Sequence, residues 1–225
     1  MHLIVLLNPD FKQSTDNLSL RTGNYLQSSL DFSKKNIITY PGLIASSLYA
    51  SSNSQALLGY YTNPNQDLNL IISKLRAHYD GGSQTEWRIY ESLTDHPVED
   101  PVPLVPHILV YNAMSTDPES EEDFNNWYND EHIPLLSQTP SWLYSRRYTL
   151  VACSHDDTPR YLALHSWPSR EVFDSPAYKL ATETPWRARV LGKLTKRERI
   201  VFDYVDDLRE QEKAKSIIST FLACV

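Results

Sequence analysis

His107–Ala113 reads HILVYNA, and His2–Asn8, at the start of the chain, reads HLIVLLN. Each is a short apolar run with turn-forming or polar residues close by, the pattern of a buried strand. Two nearly matching strands about 100 residues apart predict an internal repeat. Between them, Asp95–Pro106 (DHPVEDPVPLVP) carries four prolines in ten residues, which favours an extended linker and excludes a helix or a central strand. The chain therefore divides into residues 1–95, a Pro-rich linker over 96–106 and residues 107–205. Over 206–225, Leu208, Ile217, Ile218, Phe221 and Leu222 predict one further amphipathic helix.

The second half is the more legible. Asp117 as N-cap, Pro118 at the first helical position and Glu119, Glu121, Glu122 and Asp123 in the first turns predict a helix over Glu119–His132, ended by Pro134. Strands are expected at Trp142–Val151 and Arg160–Trp167, either side of the polar turn SHDDTP. A second helix from about Ser169, interrupted near Pro185, leads to a last strand at Arg197–Val205. The first half takes the same β-α-β-β-α-β order: strand His2–Asn8, a weak helix within Asp16–Phe32, strand Leu43–Ala50 after Pro41-Gly42, strand Ala56–Tyr61, helix Gln66–Tyr79 and strand Glu86–Ser92. Such a unit makes an antiparallel sheet with both helices on one face. The bare face needs a partner, and two units in one chain supply each other's.

Composition excludes several classes. The 225 residues are 41% apolar and 22% charged, which suits one large or two small globular domains with a core that needs neither disulfide nor metal. A balance of 21 Lys+Arg against 28 Asp+Glu, with basic residues scattered apart from Lys193–Arg199, argues against nucleic acid as a partner. Six glycines leave no Gly-x-Gly-x-x-Gly, phosphate-cradling loop or Gly-x-Ser-x-Gly, and His-Glu-x-x-His is also absent. The seven histidines show no His-x-His or His-x-x-x-His pair, so no metal and no cofactor are expected. Cys153 and Cys224 form no Cys-x-x-Cys motif, which fits a reducing cytoplasm. Leu3–Leu7 is too short for a signal-peptide core, and no window reaches the length of a membrane span.

On the helix Glu119–His132, residues Phe124, Trp127, Tyr128, Glu131 and His132 fall at i, i+3, i+4, i+7 and i+8, one face turned to the sheet. An ionisable pair ending an aromatic stripe predicts His132 as a desolvated general acid/base near neutral pH, with Glu131 or Tyr128 orienting it. The plainer reading makes Phe124 and Trp127 core and ties His132 to backbone near the helix end. Alternation groups Tyr161, Ala163, His165 and Trp167 on one strand face, and Trp142, Tyr144, Arg146 and Tyr148 on another. One of each pair of faces lines a cavity, so Trp127, Trp142, Tyr144, Arg146, His165, Trp167 and Tyr111 are the expected substrate contacts, suited to a flat aromatic ligand. The same aromatics would equally fill the contact between half-sheets.

The string Phe124-Asn-Asn-Trp-Tyr-Asn-Asp-Glu-His-Ile-Pro-Leu135, with Pro140-Ser-Trp-Leu143, Ser145-Arg-Arg-Tyr148, Ser175-Pro-Ala-Tyr178 and Thr184-Pro-Trp-Arg187, resembles the EthD-like branch of the dimeric α+β barrel superfamily, as found in fungal proteins. The resemblance covers the second half well and the first in outline. It implies an α+β fold in which two tandem ferredoxin-like units form an intramolecular dimeric α+β barrel, with a pocket between sheet and helices. It also implies cofactor-free chemistry; some relatives of the fold hold haem through a histidine, but this chain offers no way to choose such a ligand. Tyr25–Ser33 (YLQSSLDFS) has no histidine, so the first half is expected to lack a working site and to have its pocket filled.

Three functions compete at this point. The first is a cofactor-independent lyase or cyclase/isomerase of secondary metabolism acting on a polyketide-like or aromatic small molecule. The second is a cofactor-free monooxygenase of phenols, and the third a non-catalytic binding or accessory protein. The partner expected is the small molecule, and a homodimer of the two-half chain is compatible with all three.

Overall fold

The computed structural model describes residues 1–9, 11–12, 21–22, 24–38, 43–52, 55–63, 65, 67–81, 83–93 and 107–206. The linker expected over 96–106, the helix expected after Asp206, the Pro41-Gly42 turn and Cys224 lie outside the described residues.

The first half runs β1 (His2–Asn8), the short antiparallel pair β2 (Phe11–Lys12) and β3 (Arg21–Thr22), α1 (Asn24–Ser33) continued by a π-helical turn at Lys34–Ile38, β4 (Leu43–Ser51), β5 (Ala56–Thr62), α2 (Leu68–Tyr79) and β6 (Glu86–Ser92). The second half runs β7 (Ile108–Thr116), a 3₁₀ turn at Pro118–Ser120, α3 (Glu121–Asn126), a π-helical turn at Trp127–His132, α4 (Ile133–Leu136), β8 (Tyr144–Cys153), β9 (Tyr161–Trp167), a 3₁₀ segment at Arg170–Asp174, α5 (Pro176–Thr182), α6 (Pro185–Leu191) and β10 (Leu194–Asp206). Apart from the β2/β3 pair, which the sequence does not announce, each half is β-α-β-β-α-β.

Local chemistry explains the helix ends. The Asp117 carboxylate accepts from the Ser120 amide at 2.9 Å and starts the helical run of the second half. Ser175 and Thr184 cap α5 and α6 in the same way, each followed by a proline at the first helical position. Pro185 thus opens a new helix. Pro134 does not end the first one, contrary to expectation: helix continues to Leu136, because a proline near the start of α4 gives up an amide that the preceding π turn leaves without an i−4 acceptor.

Within each half the strands lie in the order fourth, first, third, second: β6-β1-β5-β4 and β10-β7-β9-β8. The halves then join edge to edge. β4 pairs with β10 (Tyr49 opposite Tyr204) and β6 with β8 (Glu91 opposite Thr149), closing eight antiparallel strands into a barrel. Closure removes every free edge that two separate sheets would leave exposed. The fold is the expected one, two ferredoxin-like units in a single-chain α+β barrel, with the half-sheets continuous rather than stacked.

Period-two alternation sorts side chains to the two faces of this cylinder. Leu3, Val5, Tyr61, Tyr90, Tyr111 and Tyr148 fill the barrel interior, all at most 1% exposed. Arg88 crosses from the first half to the second there, donating to Tyr111 Oη at 2.9 Å and to Glu198 at 2.7 Å, with Glu86 completing its charge balance. On the outer face, the helices of each half cover a separate core. In the first half that layer is filled, and its buried Asn8 carboxamide is satisfied by Ser29 at 2.7 Å and Thr85 at 2.9 Å. An open groove of about 640 Å³ nevertheless lies in this half, lined by Ser28, Phe32 and His78 among others. That runs against the expectation of a filled pocket in this half. The groove opens outward between α1 and α2, with the packed core beneath it.

Candidate active site

The helix that carries the expected site changes its winding where the chemistry begins. From Trp127 to His132 it is π-helical, with the Ile133 amide bonded to the Tyr128 carbonyl five residues back. A wider turn brings residues i and i+5 above one another. His132 accordingly stacks on Trp127, ring centroids 4.4 Å apart and planes 21° from parallel. Phe124, Trp127, Tyr128 and His132 are all buried against the sheet.

Glu131 turns away. Its carboxylate accepts from Thr184 Oγ1 at 2.6 Å, the same hydroxyl that caps α6. The group that holds His132 is the Ala181 carbonyl of α5, 3.2 Å from Nδ1. A carbonyl only accepts, so Nδ1 carries the proton and Nε2 presents a lone pair. Nε2 has no partner among the described residues.

His165 on β9 stands beside it, edge to face, with centroids 5.7 Å apart. Trp142 Nε1 donates to Ser145 Oγ at 3.1 Å, and that hydroxyl lies 2.8 Å from His165 Nδ1. The Ser145 hydroxyl can donate to Nδ1 or accept from it, and in the tautomer where it donates the imidazole proton of His165 sits on Nε2. His165 Nε2 is sealed from solvent and unpartnered, as are Trp127 Nε1 and Asn112 Oδ1. All three residues border one small space next to His132. Buried polar atoms are rarely left unpaired, so their convergence marks a place for a polar guest.

The space is about 20 Å³, room for one water molecule. Its walls come from β7, β9, β10, the π turn and α4 to α6, with Trp167 and Tyr178 on one side. No acidic residue borders it, whereas Arg187, Arg197 and Arg199 do. Arg187 donates to the Thr182 carbonyl at 2.7 Å, and Arg199 reaches Tyr178 Oη at 3.5 Å. Burial, reinforced by Arg187, holds the His132 imidazole down at about 3. Burial, then His132 and the nearby arginines, push His165 well below its usual range. Both imidazoles are therefore neutral near pH 7. A haem does not fit here, given Trp127 stacked on the imidazole and so little open volume. Among the described residues, no three His, Cys, Asp or Glu side chains assemble a metal-holding group.

The other expected residues divide by sheet face. Trp127, His165 and Trp167 join His132, while Tyr128 packs behind it, its hydroxyl donating to Met114 Sδ at 3.9 Å and pushed up to about 12 by burial. Tyr111, Tyr144 and Arg146 sit on the opposite face, inside the barrel. The register is the reason: Tyr144 lies opposite Ser166 and Ser145 opposite His165, so the Tyr144 face of β8 and the His165 face of β9 point apart. The cavity is thus bounded by β7, β9 and β10, and the expected wall from β8 is absent. Trp142 acts through Ser145. Sequence reasoning missed Asn112, Arg187, Arg197 and Arg199; alternation along β7 and β10 carries that signal, with Asn112 opposite Arg199.

No protein-family model and no curated protein matches the chain. Solved structures do. An anthrone oxidase-like protein aligns at 13% identity and TM-score 0.60 over 92% of both chains. A candidate monooxygenase from Fusobacterium nucleatum aligns at 8% identity and TM-score 0.54, over 92% of this chain and 93% of the other. A candidate chlorite dismutase aligns at 18% identity and TM-score 0.54, over 93% and 96%. Likeness at such identities is a likeness of fold, and the chemistry is to be argued from the site. No helix among the described residues is long and apolar enough to cross a membrane.

Proposed function

We propose that the chain is a cofactor-independent enzyme, of the EthD-like kind the helix motif resembles, that moves a proton on a phenolic or enolisable polyketide-like molecule. One observation carries this reading: two neutral histidines face one enclosed space, His132 offering the Nε2 lone pair and His165 an unpartnered Nε2 that is an N–H when Ser145 donates to Nδ1. Removing a proton next to a carbonyl needs a base, a donor for the oxygen that gains charge and exclusion of water. His132 Nε2 takes the proton. His165 Nε2–H and Trp127 Nε1–H donate to the developing oxyanion, and Arg187 adds a favourable field. Because burial makes an isolated imidazolium at His132 costly, the transfer is favourable only while the anion it creates stays alongside.

The substrate enters by outward movement of α5 and α6, which carry Ala181, Thr182 and Arg187. The Thr184–Glu131 and His132–Ala181 hydrogen bonds hold these helices against the π turn in its absence, and the Arg187–Thr182 bond ties the two helices together.

A second reading, a cofactor-free monooxygenase, draws support from the fold shared with an anthrone oxidase-like protein. In it the same anion, held between Trp127 and Trp167, reacts with oxygen. Incubating the protein with a panel of phenols and β-keto esters, in air and under nitrogen, tests both. Turnover under nitrogen supports the lyase or cyclase/isomerase reading, and turnover in air alone supports the oxygenase. Tight binding with no turnover in either atmosphere would overturn both and leave a binding protein.

A further inference from the structure

Beside Tyr128 in the helix-facing layer of β8, Arg147 is buried at 4% exposure. Its guanidinium lies over the Tyr128 ring at 4.3 Å, with Phe124 at 5.4 Å and Tyr161 at 5.8 Å. Among the described residues its one hydrogen bond runs from Nη2 to Asn125 Oδ1 at 2.7 Å, and no carboxylate pairs with it. The nearest candidate, Glu121, is taken up by Tyr161 Oη and by Arg160 at 2.7 Å. Buried charge without a counter-ion is costly, and burial indeed holds this guanidinium below its usual range. Aromatic faces offset part of that cost. They leave most of the hydrogen-bonding edge unused, since Asn125 takes a single N–H.

That edge is not sealed. Nε and Nη1 have no partner and neither is sealed from solvent, and Nη2 keeps a second hydrogen that forms a two-donor edge with one of them. Arg147 borders a groove of about 460 Å³, with Asn125, Asn129 and Thr149 as its uncharged polar lining, the paired Glu121 and Arg160 as its other charges, and Leu93 and Ile133 as its apolar edge. A guanidinium fork with its face blocked and its edge open matches a planar carboxylate bidentately. We propose that this groove is a second binding site, separate from the His132 cavity, for the carboxylate of a small organic acid whose hydrocarbon part lies against Leu93 and Ile133. The proposal does not depend on the reaction assigned to His132.

Thermal unfolding of the full chain with added sodium benzoate, and in parallel with inorganic phosphate or sodium chloride at equal ionic strength, tests it. Benzoate at saturation should raise the Tm by about 5 °C or more. Phosphate should do less, and chloride nothing beyond ionic strength. Arg147→Gln should abolish the benzoate response. Should Arg147→Gln fail to fold, Asn125→Asp supplies a second test, since Asn125 Oδ1 already accepts from Nη2 and its replacement puts a carboxylate on the fork. That variant should melt higher than wild type without ligand and no longer respond to benzoate. An equal response to chloride, or a benzoate shift that survives either substitution, would overturn the assignment. Loss of turnover in Arg147→Gln plays no part in the test, so a failure here stays separate from a failure of the His132 reading.

Discussion

His132 lies flat on Trp127, 4.4 Å centroid to centroid, though the two are five residues apart on one helix. An α-helix would place the fifth residue well around the cylinder, so the stack is a product of the π turn. Deleting exposed Asp130 should return the turn to α-helical winding and break the stack. The expected outcome is a folded protein, by far-UV circular dichroism, whose turnover has fallen as far as in a His132 variant. A deletion variant with full activity would separate the winding from the chemistry.

The two buried imidazoles should also set the pH dependence of stability. In the folded chain His132 is held at about 3, whereas in the unfolded chain it titrates near 6.5. As pH falls below about 6.5 the unfolded state therefore binds more protons, and stability declines until the folded-state value is reached. His165 is shifted in the same direction and adds to the decline. Urea unfolding between pH 7 and pH 4 should show a loss approaching about 1.4 kcal/mol per pH unit for each histidine. His132→Gln should flatten the curve.

The barrel interior should behave as core. Tyr144→Phe removes a buried hydroxyl from the face opposite His132 and should leave turnover within about twofold of wild type, close to the scatter expected of a substitution remote from the chemistry. Tyr144→Ala should cost about 3 to 5 kcal/mol in unfolding free energy through the cavity it leaves. Loss of activity in a well-folded Tyr144→Phe protein would return this residue to the site.

Arg88 joins the halves through Tyr111 and Glu198. Arg88→Met should destabilise by about 3 to 5 kcal/mol, because Glu86 and Glu198 lose their shared cation at a partly buried position. Restoring part of that loss in the Arg88→Met, Glu198→Gln double variant would confirm that uncompensated charge is the cause.

Much of this architecture was legible in the residues. The matching strings at His2 and His107 and the Asp117 cap announce element order, and order leads to the strand sequence around the barrel. The site was legible in part. Helical spacing brought Trp127, Tyr128 and His132 to one face, but a period of 3.6 also placed Glu131 there, and only the wider π winding removes it. Alternation grouped Tyr144 with Arg146 and His165 with Trp167 correctly. It does not say which groups share a face, since that depends on a cross-strand register set by long-range pairing. Arg187, Arg197 and Arg199 read as ordinary surface charge in sequence, and become a rim only once α6 is laid over β10.

The most direct test of the account compares turnover and Tm in one preparation of His132→Gln, using whichever phenol or β-keto ester the wild-type protein converts. General acid/base groups contribute about 10²- to 10⁴-fold, and glutamine keeps a donor for the Ala181 carbonyl without a nitrogen base. The account predicts a Tm within a few degrees of wild type at pH 7 and turnover reduced by at least about 100-fold. A His132→Gln protein that melts early yet turns over at the wild-type rate would contradict it, and would make His132 a packing residue.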